Sequence, residues 1–296
     1  MTVGNDLYAP TRWRRAKETA FRSATVIALA LVVGPALWLI LGVVLRAVPH
    51  WKWSVLTTRT QGQGGGLEQA ILGSLLLMAG VLLIAGTVGV LAGIHLGELS
   101  RPRRSGKASG ATLRTATEVL SGFPSIVLGY VGYVALCVGL HWGYSLLPAL
   151  LILSLMVVPY IAKSTETALR QVPTNYREGA AALGMSTGYA LRKVVLRSAL
   201  PGIVTGLLIA VAIAGGETAP LLYTAGWSND LPSLALLHHQ VAYLTYPIWT
   251  FYNQPSKEAN YLSYDAALIL MVLVLLVFVA SRVIVARTQR HAEGHR

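Results

Sequence analysis

The chain has 296 residues, of which 54% are hydrophobic and only 12% are charged. Soluble domains carry about 25% charged residues, so this composition excludes an ordinary cytosolic domain and indicates a membrane protein with several spans. The net charge of +12 does not indicate nucleic-acid binding, because the Lys and Arg residues stand at the edges of apolar stretches, where they orient membrane spans. The single cysteine, Cys137, excludes an intrachain disulfide and a cysteine-based zinc site.

Six apolar stretches, each of about 20 residues, are nearly free of charge and long enough to cross a bilayer as helices. The first is too long for the core of a signal peptide and has no small-residue cleavage pattern behind it, so we expect it to remain a membrane helix. The sequence therefore predicts an all-α, polytopic integral membrane protein with six transmembrane helices. They lie near residues 24–46, 69–94, 115–140, 145–163, 202–226 and 264–286.

The basic residues predict the orientation of these helices. With six spans both termini lie on one side, and twenty of the 24 Lys and Arg residues fall on that side, including Arg101, Arg103 and Arg104. Positive residues accumulate on the cytoplasmic side, so we expect both termini in the cytoplasm and the protein in the cytoplasmic (inner) membrane. The predicted organisation is a cytoplasmic N-terminal segment (1–23), a first transmembrane helix with an external loop (24–66), a core with five transmembrane helices (67–286) that includes a cytoplasmic loop (164–201), and a cytoplasmic tail (287–296).

Glycines recur at four-residue intervals on the second and fifth spans. In lipid this spacing lets helices approach closely, so we expect these faces to pack on other helices, either of this chain or of a partner. The glycines concerned are Gly89, Gly93 and Gly97 on the second span, and Gly202 and Gly206 on the fifth.

The cytoplasmic loop between the fourth and fifth spans has about 38 residues, more than two adjacent antiparallel helices need. Pro173 and Thr174 mark the start of a small-residue helix, and Gly184 supplies its stop. A second, amphipathic segment covers 189–200, and Pro201 ends it or opens the next span. A short helix with an Ala and Gly face, held away from the membrane, is suited to docking in a groove of another protein.

An acid and a helix breaker interrupt the fifth span. Pro220 has no N–H for the carbonyl of Gly216, and two adjacent glycines weaken the helix, so we expect a kink or an unwound segment. An ionised side chain at bilayer depth costs about 2.5 to 3.5 kcal/mol by insertion scales, so Glu217 is expected to face a solute pathway or to pair with a partner subunit. Non-helical backbone at this depth is tolerated beside a water-filled cavity. The predicted pathway residues are Gly215, Gly216, Glu217, Thr218, Pro220 and Tyr223.

Other acidic groups are weaker candidates. Glu118, near the cytoplasmic end of the third span, is a second candidate for the pathway or its gate, and Glu98 is expected in a solvated cluster with His95. Asp265 is expected to start the sixth helix, because acids favour helix N-termini. The chain has no Gly-x-x-x-x-Gly-Lys-[Ser/Thr] motif and no hydrolase motif, so we expect no catalytic residue, no metal site and no cofactor on it.

The small-residue helix and the segment after it resemble the EAA loop of ATP-binding cassette (ABC) importer permeases, the binding-protein-dependent transport permease family. Glu178, Ala180, Gly184 and Leu196 fit its pattern, with Val194 for Ile, Gly179 for the first Ala and Arg197 for Pro. The resemblance implies a type I ABC importer permease fold and a separate ATPase. It assigns contact with that ATPase to Arg177, Glu178, Gly179, Ala180, Ala181 and Gly184.

The run at 216–222, Gly-Glu-Thr-Ala-Pro-Leu-Leu, is similar to the same run in the PstA family of phosphate importer permeases and is more specific than the EAA pattern. Segments 123–129 and 169–173 agree with that family, so the resemblance covers about 68–286. It implies import of inorganic phosphate by a heterodimer with the homologous permease PstC, in membrane lipid, with two PstB ATPases that use ATP and Mg²⁺ and the external phosphate-binding protein PstS. Ile213 or a neighbour stands where that family can carry an Arg, which leaves the partner permease as the source of such an Arg.

Two alternatives stay open at this point. One is the permease of a sulfate or molybdate importer, which the same architecture would serve. The other is a stand-alone, proton-coupled secondary transporter, in which Glu217 and Glu118 would carry protons.

Overall fold

The computed structural model describes residues 12–100 and 107–293. The first eleven residues of the predicted N-terminal segment, the basic cluster Arg101, Arg103 and Arg104, and the last three residues of the predicted tail lie outside these ranges. Residues up to His50 form one unit, in which α1 (Arg12–Ala47) is followed by a 3₁₀ turn (Val48–His50). This helix is long and apolar enough to cross a membrane, and it begins before residue 24, where the predicted span starts.

The second unit begins at Trp51 and contains the remaining elements. A 3₁₀ turn (Trp53–Leu56) and a small hairpin, with Thr60 opposite Gly65, precede the helices. In chain order the elements are β1 (Thr60–Gln61), β2 (Gly64–Gly65), α2 (Glu68–Ile94) with a π-helical turn (His95–Leu99), α3 (Lys107–Gly122), α4 (Ser125–Gly132) with a π-helical segment (Tyr133–Gly139), α5 (Leu146–Arg170), α6 (Thr174–Ala182), α7 (Thr187–Ala190) with a π-helical turn (Leu191–Val195), α8 (Leu196–Gly216), α9 (Ala219–Thr224), α10 (Thr245–Thr250) and α11 (Lys257–Glu293).

The third predicted span is broken. Five helices of the described residues are long and apolar enough to cross a membrane, or six if the bent pair Gly110–Gly122 and Ser125–Gly139 forms one span. The prediction of one continuous stretch at 115–140 is wrong, because these two halves meet at 99°. Pro124 is the cause: its ring fixes φ at −60°, its ψ is 132°, and it has no N–H to continue α3.

The glycine faces pack within the chain, which decides between the two alternatives that the spacing left open. A Cβ added at Gly89 of α2 would lie 2.6 Å from the Ile161 Cβ of α5, so only glycine permits this approach. The other glycines meet α5 in the same manner: Gly93 meets Thr165, Gly97 meets Leu169, Gly202 meets Ala168 and Gly206 meets Ser164.

Three helix boundaries differ from the prediction. α5 continues to Arg170, so the first seven residues of the predicted cytoplasmic loop are helical. α8 runs through Pro201, because the one hydrogen bond that this proline removes belongs to the carbonyl of Arg197 at an exposed turn. α11 begins at Lys257, so Asp265 lies inside the helix, 3% exposed, and not at its start.

A cap formed by residues 225–256 closes one end of the bundle. The Leu244 amide donates to the Ser74 hydroxyl of α2 at 2.8 Å, and the Leu147 amide at the start of α5 donates to the carbonyl of Leu236 at 2.9 Å. Below the cap, the largest apolar cluster joins α2, α5, α8 and α9 around Leu77, Val81, Leu153, Val157 and Leu221. The cap and this cluster fix the position of the junction between α8 and α9.

Candidate functional site

The junction between α8 and α9 is unwound, which confirms the predicted break. α8 ends at Gly216, and Glu217 is extended, with φ −72° and ψ 137°. The Thr245 hydroxyl of the cap donates to the backbone carbonyl of Glu217 at 2.8 Å, and the Glu217 amide donates to the carbonyl of Ala214 at 3.3 Å. The backbone groups released by the break are therefore bound from two sides, as non-helical backbone away from water requires.

The break is packed against the other interrupted helix, α4. A Cβ added at Gly129 would lie 2.6 Å from the Cα of Pro220, so the two backbones touch. The Ser125 side chain lies beside the Glu217 carboxylate. The two segments that most resemble phosphate permeases in sequence, 123–129 and 216–222, thus lie side by side.

The predicted pathway residues lie around the break. Those on one side of it are packed against other helices, and those on the other side are exposed. Pro220 is buried, and a Cβ at Gly215 would lie 2.9 Å from Met78 Sδ of α2. Gly216 is exposed, with no atom within 4 Å of the place a Cβ would take. Glu217, Thr218 and Tyr223 are partly exposed, and the Tyr223 ring lies edge-on to Tyr130 at 5.9 Å. The open side of the break is therefore the side of Gly216.

Glu118 does not belong to this group. It is exposed on α3, ahead of the bend, whereas α4 is the part of the broken span that contacts α9. Ile213, at the place where an Arg can stand in the family, is 38% exposed on α8 shortly before the break.

The helix predicted to contact an ATPase is α6, and its end is confirmed. Gly184 has φ +74°, a conformation that glycine adopts without strain. The Met185 amide donates to the carbonyl of Ala180 at 3.0 Å, and the Gly184 amide donates to the carbonyl of Ala181 at 2.9 Å. This pair of bonds is a Schellman motif, which satisfies the last carbonyls of the helix.

α6 has one face on the core and one face in solvent. Ala180 is only 4% exposed, so it belongs to the packing of this chain and is not available to a partner. The side chain of Leu183 is 77% exposed, and no described residue covers Gly179. Leu183 was not predicted as a contact, although a large apolar residue next to an exposed small-residue face is a clear signal. The exposed face consists of Glu178, Gly179, Ala181, Ala182, Leu183 and Gly184.

Arg177 connects α6 to two other helices. Its guanidinium forms an ion pair with Glu98, and it donates to the carbonyls of Val172 at 2.7 Å and Leu169 at 3.0 Å. The side chains of Arg177 and Glu98 are 17% and 15% exposed. The expectation that Glu98 belongs to a solvated cluster is therefore wrong, because Arg177 draws it into a mostly buried pair.

Glu166 of α5 was not predicted, yet it is the centre of the largest ionic cluster among the described residues. Its side chain is 2% exposed and lies 2.7 Å from Arg114, 2.8 Å from Arg170 and 3.3 Å from Lys163. The spacing of Lys163, Glu166 and Arg170 on one helix face was the available signal. Arg114 comes from α3 and was not predictable from local spacing. Among the described residues, no group of three or more His, Cys, Asp or Glu side chains is placed to hold a metal ion.

These observations define a class, a multi-pass membrane permease with an interrupted helix pair in its core. Residues 85–290 match the family described as "Binding-protein-dependent transport system inner membrane component", and the chain belongs to this family. The chain is 58% identical over 271 residues to the phosphate transport system permease protein PstA 2 of Mycobacterium bovis, with 92% of this chain and 88% of that protein covered. It is 32% identical over 285 residues to PstA of Yersinia pestis, with 93% and 92% covered.

Solved structures show the fold. The MetNI methionine ABC transporter in an inward-facing form matches with a TM-score of 0.57 and 22% identity, over 75% of this chain and 97% of that one. A bacterial ABC transporter involved in import of the acidic polysaccharide alginate matches with a TM-score of 0.58 and 13% identity, over 92% and 99%. The chain therefore has the ABC importer permease fold, as predicted. The cytoplasmic position of both termini stays a prediction.

Proposed function

We propose that this chain is one of the two permease subunits of an ABC importer that carries inorganic phosphate across the cytoplasmic membrane. The proposal is supported by 58% identity to a phosphate transport permease over 92% of the chain. The observation that carries it is the contact between Gly129 and Pro220, because it joins the two segments that resemble phosphate permeases at an unwound, partly open point of the helix bundle.

Glu217 supplies the chemistry of selection. Phosphate near neutral pH keeps at least one proton, so its hydroxyl donates a hydrogen bond to a carboxylate oxygen, whereas the sulfate dianion has no proton to donate and is repelled. The Ser125 side chain lies beside this carboxylate and leaves one side of it open. The remaining acceptor positions face a solute that arrives beside Gly216. Phosphate oxygens are bound by donors of the partner permease, including an Arg that this chain lacks near Ile213.

The exposed face of α6 passes the motion of an ATPase to the permease. Gly179 and Ala181 allow close approach in a groove of that subunit, and Leu183 adds an apolar contact. Arg177 then transfers the displacement to Glu98 at the end of α2 and to the last turn of α5. In this assembly the companions are a PstC-type permease, two PstB-type ATPases that hold ATP and Mg²⁺, and an external PstS-type phosphate-binding protein, with both termini of this chain in the cytoplasm.

The test is uptake of radiolabelled phosphate by reconstituted vesicles. Vesicles that contain this chain, its companion permease, the ATPase and the binding protein are expected to accumulate phosphate only with ATP inside and the binding protein outside. A protonophore is expected to leave uptake unchanged. Uptake by the purified chain alone, or its collapse with a protonophore, would overturn the proposal in favour of a proton-coupled transporter.

A competition experiment separates phosphate from sulfate and molybdate in the same vesicles. Because the site is proposed to require a proton on the anion, a large excess of sulfate or molybdate is expected to leave phosphate uptake unchanged. Arsenate, which also keeps a proton near neutral pH, is expected to compete. Transport of sulfate at the rate of phosphate would contradict the assignment of the solute while leaving the permease class intact.

A further inference from the structure

A cleft of about 840 Å³ opens beside the pair formed by α5 and α8, at the end of the bundle from which α6 projects. Its walls are the last two turns of α5, the first turns of α8 and Val285 of α11, and Tyr176 of α6 closes one side. α5 and α8 touch at Ala168 and Gly202, which form its floor. The cleft is separate from the break at Glu217, none of whose residues lines it.

The lining is apolar inside and cationic at the rim. Ala168, Val172 and Ala199 of the floor are buried, whereas Lys163 and Arg197 are exposed at the opening. Lys163 forms an ion pair with Glu166, whereas Arg197 forms no ion pair with any residue that the structure describes. The opening therefore carries uncompensated positive charge above an apolar floor.

Three of the hydroxyl groups in the walls are already hydrogen-bonded within their own helices. Thr167 and Ser198 donate their protons to the carbonyls of Lys163 and Val194 in their own helices, each at 2.9 Å. Thr205 does the same with the carbonyl of Pro201 at 2.9 Å. A free phosphate ion would fill only a small part of this volume and would leave the apolar floor uncovered. An amphiphile with an anionic head fits both the size and the polarity.

The position of the cleft indicates where such an amphiphile comes from. It lies at the ends of three apolar helices long enough to cross the membrane, on the side that the basic residues predict to be cytoplasmic. Basic pockets between membrane helices on that side bind phospholipid head groups. The rings of Tyr160 and Tyr176, 38% and 43% exposed, suit the interface between head groups and acyl chains.

We propose that this cleft binds one anionic phospholipid of the cytoplasmic leaflet, with its phosphate on Arg197 and Lys163 and its acyl chains along Ala168 and Val285. The bound lipid lies between the α5–α8 pair and Tyr176 of α6. The lipid supports α6, the helix proposed to contact the ATPase. The lipid composition of the membrane therefore changes how tightly ATP hydrolysis is coupled to uptake. This site is independent of which solute the importer carries.

The test is native mass spectrometry of the intact importer in nanodiscs of phosphatidylcholine with or without phosphatidylglycerol. The wild-type complex is expected to retain phosphatidylglycerol, and Arg197→Gln is expected to lower its retention about fivefold, the effect of one surface cation. Ser198→Trp fills the cleft without a change in charge and is expected to lower retention as well. Arg192→Gln removes an equal charge from the same segment outside the cleft and is expected to retain the lipid.

Three results would overturn the proposal. One is equal retention of phosphatidylglycerol by the wild type, Arg197→Gln and Ser198→Trp. Another is phosphatidylcholine retained as well as phosphatidylglycerol, since that shows no role for the cations. The third is a crosslink from Arg197→Cys to a companion subunit in the assembled importer without retained lipid, since that assigns the cleft to a protein contact.

Discussion

Arg177 of α6 and Glu98 at the end of α2 form an ion pair in which both side chains are mostly buried. Because Arg177 also donates to the carbonyls of Val172 and Leu169, one guanidinium ties α6 to α2 and α5. α6 is therefore attached to the bundle by side-chain bonds as well as by its two connecting loops. A force applied to its exposed face reaches the core through these bonds.

Removal of this guanidinium is expected to cost stability and coupling together. Arg177→Ala removes one cation from the mostly buried Glu98 carboxylate and one donor from each of two carbonyls, a loss of about 3 kcal/mol in the free energy of unfolding. Glu98→Gln keeps a hydrogen-bond acceptor beside Arg177 and is expected to cost less. Thermal unfolding of the complex and the number of phosphate ions carried per ATP hydrolysed are the measurements. An Arg177→Ala complex with wild-type coupling would contradict the proposed role.

A bulky side chain on the exposed end of α6 is expected to uncouple the importer. Gly184→Trp places an indole where no atom of the described residues lies within 4 Å of the added Cβ, so it obstructs a partner and leaves membrane insertion intact. The positive φ of Gly184 adds local strain of about 1 kcal/mol.

Two control variants separate the causes. Gly184→Asn tolerates the positive φ and stays small, and Gly188→Trp is equally bulky at an open position outside α6. Both are expected to keep ATP-dependent uptake. Preserved coupling in Gly184→Trp would count against a contact between this face and the ATPase.

Glu217→Gln tests selection by a hydrogen bond to the anion. The amide offers a donor in place of one acceptor and removes the negative charge that repels sulfate, so phosphate uptake is expected to fall at least tenfold relative to sulfate uptake. Glu118→Gln, on the exposed face of α3, is expected to leave both rates unchanged. Initial rates in the reconstituted vesicles give the ratio. Normal phosphate uptake with full exclusion of sulfate in Glu217→Gln would end the hypothesis.

The contact between the two interrupted helices is expected to tolerate no side chain at Gly129. Gly129→Ala sets a methyl group 2.6 Å from the Cα of Pro220, and relief of that overlap costs about 1 to 3 kcal/mol. Gly122→Ala is the matched control, since no atom lies within 4 Å of its added Cβ. A melting temperature of Gly129→Ala equal to that of the control would show that α4 moves freely from α9.

The buried and exposed ion pairs are expected to contribute different amounts to the free energy of unfolding. Glu166→Gln withdraws the anion that Arg114 and Arg170 share and is expected to cost about 1.5 to 3 kcal/mol. Asp230→Asn breaks an exposed pair with Arg59 at 3.8 Å and is expected to cost at most about 1 kcal/mol. Thermal unfolding in the same detergent compares them. Equal shifts would show that Glu166 is not the centre that its burial indicates.

Local signals in the sequence predicted the local features. Pro220 and the glycines before it predicted the unwound segment at 217, and Gly184 predicted the end of α6, because both depend on the backbone of a few neighbouring residues. Length and hydropathy predicted five of the spans. Pro124 carries the same kind of signal as Pro220, but the apolar stretch around it, with Glu118 as its one acid, reads as a single helix by length and hydropathy.

Long-range features were beyond such reasoning. Nothing in the spacing of residues indicates that Arg114 meets Glu166, or that Arg177 meets Glu98, since each pair joins helices that are distant in sequence. The burial of Ala180 depends on which way α6 is rotated on the core. The contact of Ser125 with Glu217 likewise follows from the packing of α4 on α9.

The helix breaks at Pro124 and Pro220 pack against each other, so we expect mutations at the two sites to interact genetically. Pro220→Ala, which allows α8 to continue, displaces the backbone on which Gly129 rests. A substitution that makes α8 continuous is therefore expected to destabilise the packing of α4. Second-site suppressors of a change at either proline are expected in the opposite segment, and a suppressor screen begun at Pro220 is expected to return substitutions between 123 and 129.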